Sequence, residues 1–168
     1  MDILVAATIA GVIIGGMTAL ASIWATVTQR LIDRRRVTLE MISRIESDQD
    51  ILLARRQFMQ LARENDGTLV QFARKEFEGT DAYFSIATAL NPYELISTGI
   101  ELGVIDFPLY RRIHRSTVLA YWDHAESFIL EIRKRPDNKK KFVELESMVK
   151  WLKNEKTPPR ARLRNIFY

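Results

Sequence analysis

The chain has 168 residues, with 25 Lys and Arg against 21 Asp and Glu, 47% hydrophobic residues and no Cys. That length sets one modest domain as the prior, and the missing cysteines exclude a disulfide framework, a thiolate nucleophile and Cys-ligated zinc or iron–sulfur centres. Charge is distributed unevenly: Asp2 is the one charged side chain before Arg30, and residues 30–168 hold all 25 basic groups and the other 20 acidic ones. Such mixed-sign surface with a small basic excess permits anionic partners without requiring them.

Residues 3–27 form 25 consecutive positions without a charge. At about 1.5 Å per residue, a helix of that length outspans a hydrocarbon core of ~30 Å, so the pattern predicts a transmembrane helix within residues 1–29. Thr8, Thr18, Ser22 and Thr26 can return hydroxyl bonds to their own helix backbone and so cost little in lipid. Ala19-Leu20-Ala21 offers a small-residue cleavage site of the signal-peptide kind. A secretory peptide, however, needs a cationic leading region and a shorter apolar core, whereas only Met1 and Asp2 precede this run, which continues past the site. An uncleaved anchor is therefore the expectation.

Arg30, Arg34, Arg35 and Arg36 crowd one end of the span, and the other end has no Lys or Arg side chain. The positive-inside rule then puts the C-terminal part in the cytoplasm, with Trp24 at the level of the headgroups. The same four arginines suit anionic lipid headgroups, at roughly 1 kcal/mol per charge near the surface. Within the span, Ala7, Gly11, Gly15 and Ala19 recur every four residues and stack small side chains into one shallow groove. Lipid supplies no hydrophobic drive to pair helices, so close backbone approach over such a groove is a main source of association. A homo-oligomer or a membrane-protein partner is expected.

Past the span the pattern stays helical, without a long alternating strand run or a hairpin dipeptide between two such runs. The fold class expected is all-α: a single N-terminal transmembrane helix continuing into a small cytoplasmic helical bundle. A basic juxtamembrane helix occupies residues 30–46, with Val37, Leu39, Met41, Ile42 and Ile45 as its apolar side. The helical domain spans residues 47–155. Ser47 with Asp50 reads as a capping-box start for a second helix, in which Ile51, Leu52, Phe58, Met59 and Leu61 face a core. Asn65-Asp66-Gly67 ends it.

Residues 68–90 read as another helical stretch, weakened at Gly79-Thr80, where it can split in two. Asn91, Pro92 and Glu94 then predict a helix start, with Asn as cap, Pro preorganised at the first position and Glu closing the box; Gly103 ends that helix. Asp106 caps the next. Its Val118, Trp122, Ala125, Ile129 and Ile132 fall at spacings of 4, 3, 4 and 3, a seam that must meet other helices, and it stops before Pro136. Phe142, Leu145, Val149 and Leu152 repeat that spacing in a last helix, opened by Asn138 and by Lys139-Lys140-Lys141, whose charges oppose the helix dipole. A basic tail, residues 156–168, contains Pro158-Pro159 and Arg160, Arg162 and Arg164, and is expected to be extended unless bound.

Motifs for chemistry are missing. His114 and His124, ten residues apart on one helix, project about 80° away from each other at 100° per residue and cannot form an i, i+4 metal pair. The phosphate-binding G-x-x-x-x-G-K-[ST] loop, the dinucleotide G-x-G-x-x-G and the nucleophile elbow G-x-S-x-G are all lacking. Glu94, Glu101 and Asp106 are near in sequence, yet Glu94 and Asp106 read better as caps than as an acid–base pair. No catalytic, cofactor-binding or metal-ligating residue is assigned, and a non-enzymatic protein is expected. Arg55-Arg56, Arg111-Arg112, Arg133-Lys134-Arg135 and the tail offer phosphate contacts, but none forms a nucleic-acid reading motif, and basic pairs interrupted by acids describe a solvated helix face.

The most specific stretch is Leu90, Asn91, Tyr93, Glu94, Gly99, Gly103, Ile105, Asp106 and Tyr110, followed by Tyr121-Trp122 and Phe128-Ile129. It resembles an uncharacterised family of bacteria and their phages, over roughly residues 34–152 including Ala54-Arg55-Arg56. Pro92, and Phe107 with Pro108, depart from the family's pattern. The resemblance implies a single N-terminal span, a short basic connector and a helical cytoplasmic domain of unknown function, hence a place in the bacterial inner membrane with the N-terminus outside. It transfers no catalytic residue. Read physically, Asn91, Glu94, Gly99, Gly103 and Asp106 are caps and close-packing positions, while Tyr93, Tyr110 and Trp122 are core aromatics, with Tyr93 or Trp122 as the alternative lining of a pocket.

Three functions follow as expectations. The first is a membrane-anchored scaffold that pairs through its span and presents cytoplasmic helices to a protein. The second, suggested by where the resembled family occurs, is a phage or host defence factor that blocks superinfection. The third is an electrostatic tether to lipid or nucleic acid.

Overall fold

One helix, α1, runs over Ile3–Ser47 without interruption. It opens the computed structural model, which describes residues 3–154, with side chains at Thr8 and from Gly11 onward; the basic tail and the side chain of Ala7 lie outside the described residues. The hydroxyls of Thr18, Ser22 and Thr26 donate to the carbonyls of Ile14, Thr18 and Ser22 at 2.8, 2.8 and 2.9 Å, so the helix satisfies its own polar groups as expected. From Gly11 inward it is long and apolar enough to cross a membrane, and none of its apolar window is buried against the rest of the chain.

Four further helices form the bundle: α2 over Gln49–Glu64, α3 over Asp81–Glu101, α4 over Phe107–Ile132 and α5 over Val143–Lys153. The described residues contain no strand. The cap of α2 is Asp48, not Ser47: the Asp48 carboxylate accepts from the amides of Asp50 and Ile51 at 3.0 and 3.1 Å, while the Ser47 hydroxyl donates to the Arg44 carbonyl and closes α1. A hydroxyl can serve a helix's trailing carbonyls, whereas an ionised carboxylate can only accept and so belongs at the leading amides. The fully enclosed stripe of α2 is Ala54, Phe58 and Ala62, with Ile51, Leu52, Met59 and Leu61 only half-buried. The two alanines flank Phe58 at four-residue spacing and let α3 approach closely.

Residues 68–80 are not α-helix. Asp66 and Gly67 both have positive φ, as does Gly79, and between them lie two short 3₁₀ turns, Val70–Ala73 and Lys75–Phe77. Leu69 and Ala73 anchor this segment in the core, and the Thr68 and Ser127 hydroxyls share a 2.8 Å bond that ties it to α4. Thr80 then caps α3.

α3 does not begin at Asn91. It passes straight through Pro92, and Asn91 is an exposed residue of its middle. An internal proline costs roughly 3 kcal/mol. Here it sits among fully buried Leu90, Tyr93 and Ile96, each large apolar side chain contributing about 1.5–3 kcal/mol on burial, so packing outweighs the lost backbone bond. Gly103, at φ 73°, ends the helix as predicted: its amide donates to the Ile100 carbonyl at 3.0 Å and that of Val104 to Gly99 at 2.9 Å. Gly99 is a close-packing position, since a Cβ there would lie 2.7 Å from Cγ1 of Ile105.

Asp106 caps α4 by accepting from the Leu109 amide at 2.9 Å, and Pro108 is accommodated in the first turn. Every member of the expected seam, Val118, Trp122, Ala125, Ile129 and Ile132, is buried. α5 starts at Val143 rather than at Asn138. Asn138 closes a separate 3₁₀ turn, Pro136–Asn138, and Phe142 turns the corner at φ 58°. Lys139, Lys140 and Lys141 are therefore exposed turn residues outside α5, and no helix dipole opposes them.

Candidate functional site

The C-terminal third of α1 meets the bundle along two levels. At the upper level the Thr38 hydroxyl, fully buried, donates to the Arg34 carbonyl at 2.7 Å and accepts from the Asp106 amide at 2.8 Å. Arg34 Nη2 donates to the Ile105 carbonyl at 3.3 Å, and Arg35 Nε lies 3.6 Å from the Asp106 carboxylate. These contacts pin α1 to the corner between α3 and α4.

At the lower level, Arg55 of α2 pairs with Glu46 of α1 at 2.8 Å and places its guanidinium 5.4 Å from the ring centroid of Tyr93 on α3. Tyr110 and His114 of α4 stack at 5.1 Å, Tyr121 stacks on Phe58 at 4.8 Å, and Tyr93 tilts against Tyr121 at 5.3 Å. Four helices thus contribute to one polar–aromatic cluster.

Its electrostatics follow from burial. Burial is the largest single influence on Arg55 and opposes its charge, but the hydrogen bond it donates to Glu46, together with the nearby Tyr93, Glu46 and Tyr121, more than offsets burial and raises the guanidinium pKa. Burial pushes the Tyr93, Tyr110 and Tyr121 phenols up, well above the usual range for the first two. It also depresses His114, against the opposing pull of Glu46. Tyr93 Oη and Arg55 Nε are enclosed and have no hydrogen-bond partner among the described residues. The void beside them, lined by Ile42, Ile45 and Tyr110 among others, leaves about 10 Å³, on the order of one water molecule and far below the few hundred Å³ of a small-molecule site. The cluster is built to hold α1, not to enclose a substrate. Among the described residues no group of three His, Asp or Glu side chains could hold a metal ion.

The residues singled out in the sequence fall into three places. Gly11, Gly15 and Ala19 are exposed on the outer part of α1, and a Cβ at either glycine would meet nothing within 4 Å. The arginines divide: Arg34 and Arg35 face the α3–α4 corner, Arg36 pairs with Glu40 one turn on at 2.8 Å, and Arg30 lines a surface cleft with Leu31 and Val104. The motif residues lie in the bundle, where Tyr93, Tyr110 and Trp122 are core aromatics as expected.

Glu94 is a cap, but of a different helix. Its carboxylate accepts from the amides of Glu144 and Leu145 at 3.4 and 2.6 Å, closing the start of α5, whose own first residues supply no capping side chain. Several basic groups that resembled phosphate contacts are internal staples: Arg55 on Glu46, Arg133 on Glu146 at 2.5 Å, and Arg135 on Glu78 at 2.9 Å and on the Ala73 carbonyl. His124 places Nδ1 2.9 Å from the Gly67 carbonyl, which as a pure acceptor puts the proton on that nitrogen. Thr38 and Glu46 escaped the sequence reading, which took Arg55 for a phosphate contact or a family-motif residue. Thr38, Met41, Ile42 and Ile45 do share one helical face, which marks Thr38 as a polar residue turned inward.

An all-α bundle carried on one unbroken helix, long and apolar enough to cross a membrane, is the class of protein this architecture defines. The chain belongs to the DUF4760 family, a domain of unknown function, whose profile matches residues 6–151. No curated protein and no solved structure matches it. The match begins well before Arg34, where the motif resemblance starts, so most of the apolar helix is part of the family's pattern.

Proposed function

We propose that this chain is a membrane-anchored, non-enzymatic interaction module of the bacterial inner membrane, with its N-terminus outside and its bundle rigidly mounted on the cytoplasmic face. The observation that carries this reading is the division of α1: among the described residues none of its apolar window is buried, and its inner part is locked into the bundle by Thr38, Arg34 and Glu46. A family profile that includes the apolar segment supports a retained anchor over a cleaved leader. The groove of Ala7, Gly11, Gly15 and Ala19 is the surface through which the span pairs with a second copy or another membrane helix.

Because the chain has no cysteine, single substitutions give clean labelling. In intact cells Asp2→Cys is expected to react with a membrane-impermeant maleimide and Lys140→Cys only after lysis. Recovery of the chain in the soluble fraction, or the reverse labelling, refutes the reading. Gly11→Leu with Gly15→Leu tests the groove, and unchanged association in a membrane assay removes it.

A further inference from the structure

The corner between α3 and α4 exposes apolar side chains at a height that the geometry of α1 fixes. Tyr93 and Ile96 lie beside Ile42 and Ile45, whereas Ile105 and Asp106 meet Arg34 and Thr38. The last turns of α3 therefore climb α1 toward its uncharged part, and α4 descends again. At the top of this hairpin, Leu102 and Val104 are 51% and 50% exposed. They share a cleft of about 410 Å³ with Arg30, Leu31, Asp33 and Arg34.

Val27 is the last apolar residue before the first arginine, and Arg30 and Arg34 lie about 4.5 and 10.5 Å further along the helix axis. Headgroup layers add roughly 5–7 Å on each side of the hydrocarbon core. Arg30, Leu102 and Val104 therefore stand at the depth where acyl chains give way to phosphates. A bilayer surface can take up the two half-exposed aliphatic side chains around this glycine turn. Asp33 is the one acid in the cleft, and the Gln29 amide donates to its carboxylate at 3.0 Å.

We propose that the α3–α4 corner is a second membrane contact: Leu102 and Val104 enter the inner leaflet, and Arg30 holds the headgroup phosphate of an anionic phospholipid between corner and span. This rests on α1 crossing the membrane. Arg35 and Arg36 do not line the cleft.

The test uses the full chain in vesicles of phosphatidylcholine with or without phosphatidylglycerol, carrying one fluorophore on Ile23→Cys, Val104→Cys or Leu130→Cys and quenched by lipids with a nitroxide near the headgroup. Leu130 is exposed and lies about 36 Å down α4 from the corner. Quenching at position 104 several-fold above that at 130 is expected, stronger with phosphatidylglycerol and weakened by Arg30→Gln. Quenching at 23 without quenching at 104 overturns the corner contact while leaving the anchor intact. No quenching at 23 overturns the anchor itself. Quenching at 104 that ignores both phosphatidylglycerol and Arg30→Gln overturns the phosphate site.

Discussion

The N-terminal part of α1 and the helical bundle solve the same problem in opposite ways. In the bundle, apolar side chains are removed from water by one another, and α4 alone buries Val118, Trp122, Phe128, Ile129 and Ile132. In the N-terminal part of α1, Val12, Ile14, Met17, Leu20 and Ile23 are all more than half exposed, while the hydroxyls of Thr18, Ser22 and Thr26 are satisfied by the helix's own carbonyls. A helix that completes every polar bond yet buries no apolar surface is suited to a solvent that cannot hydrogen-bond. What counts as a defect in one region is the working state of the other.

Substitutions that treat the two regions alike break this comparison most directly. Phe128→Ala, deep in the bundle, should cost about 3–5 kcal/mol of stability, whereas Phe84→Ala, 57% exposed, should fall within about 0.5 kcal/mol; thermal unfolding in mild detergent measures both. Next in size, Ile14→Asp places a charge in the span and should lose about 2.5–3.5 kcal/mol of insertion free energy, read as release from the membrane fraction. Leu53→Asp, also more than half exposed but on α2, should leave fractionation unchanged.

A pair of glycines sharpens the contrast. Alanine at Gly99 forces Ile105 to move, at about 1–3 kcal/mol for overpacking, with roughly 1 kcal/mol of helix propensity returned. Alanine at Gly11 meets open space and should leave unfolding of the bundle unaltered. The smallest effect is a pH dependence at the junction. Burial lowers the His114 pKa below its model-peptide value of 6.5, so the unfolded chain binds the proton more readily. The stability this brings is complete above 6.5 and is lost as pH falls toward the folded value. Unfolding midpoints should therefore drop on acidification below about 6.5, and His114→Phe should flatten that slope; an unchanged slope refutes the assignment.

Signals confined to a few neighbouring residues were legible in the sequence. The uncharged run, the seam of α4, the left-handed turn at Gly103 and the cap at Asp106 are each settled within one continuous segment of chain. Signals decided at long range were not. Pro92 resembles a helix start until Leu90, Tyr93 and Ile96 are buried around it, and Glu94 has the chemistry of a cap but finds its amides fifty residues away. Arg55, Arg133 and Arg135 resemble surface cations until their acids arrive from other elements. The junction cluster belongs to this second kind, since four helices must assemble before Tyr93 and Arg55 share a wall.

Thr38 has a mechanical corollary. Its single oxygen is bonded on both sides, to the helix that carries it and to the first amide of the α3–α4 corner, like a key cut between a shaft and its hub. Each residue of register turns a helix by about 100°, so rotating the rod by even one step pulls the key from its slot. Torque applied at the outer end therefore reaches the bundle as rotation of the whole, and slippage between them requires shearing that bond first.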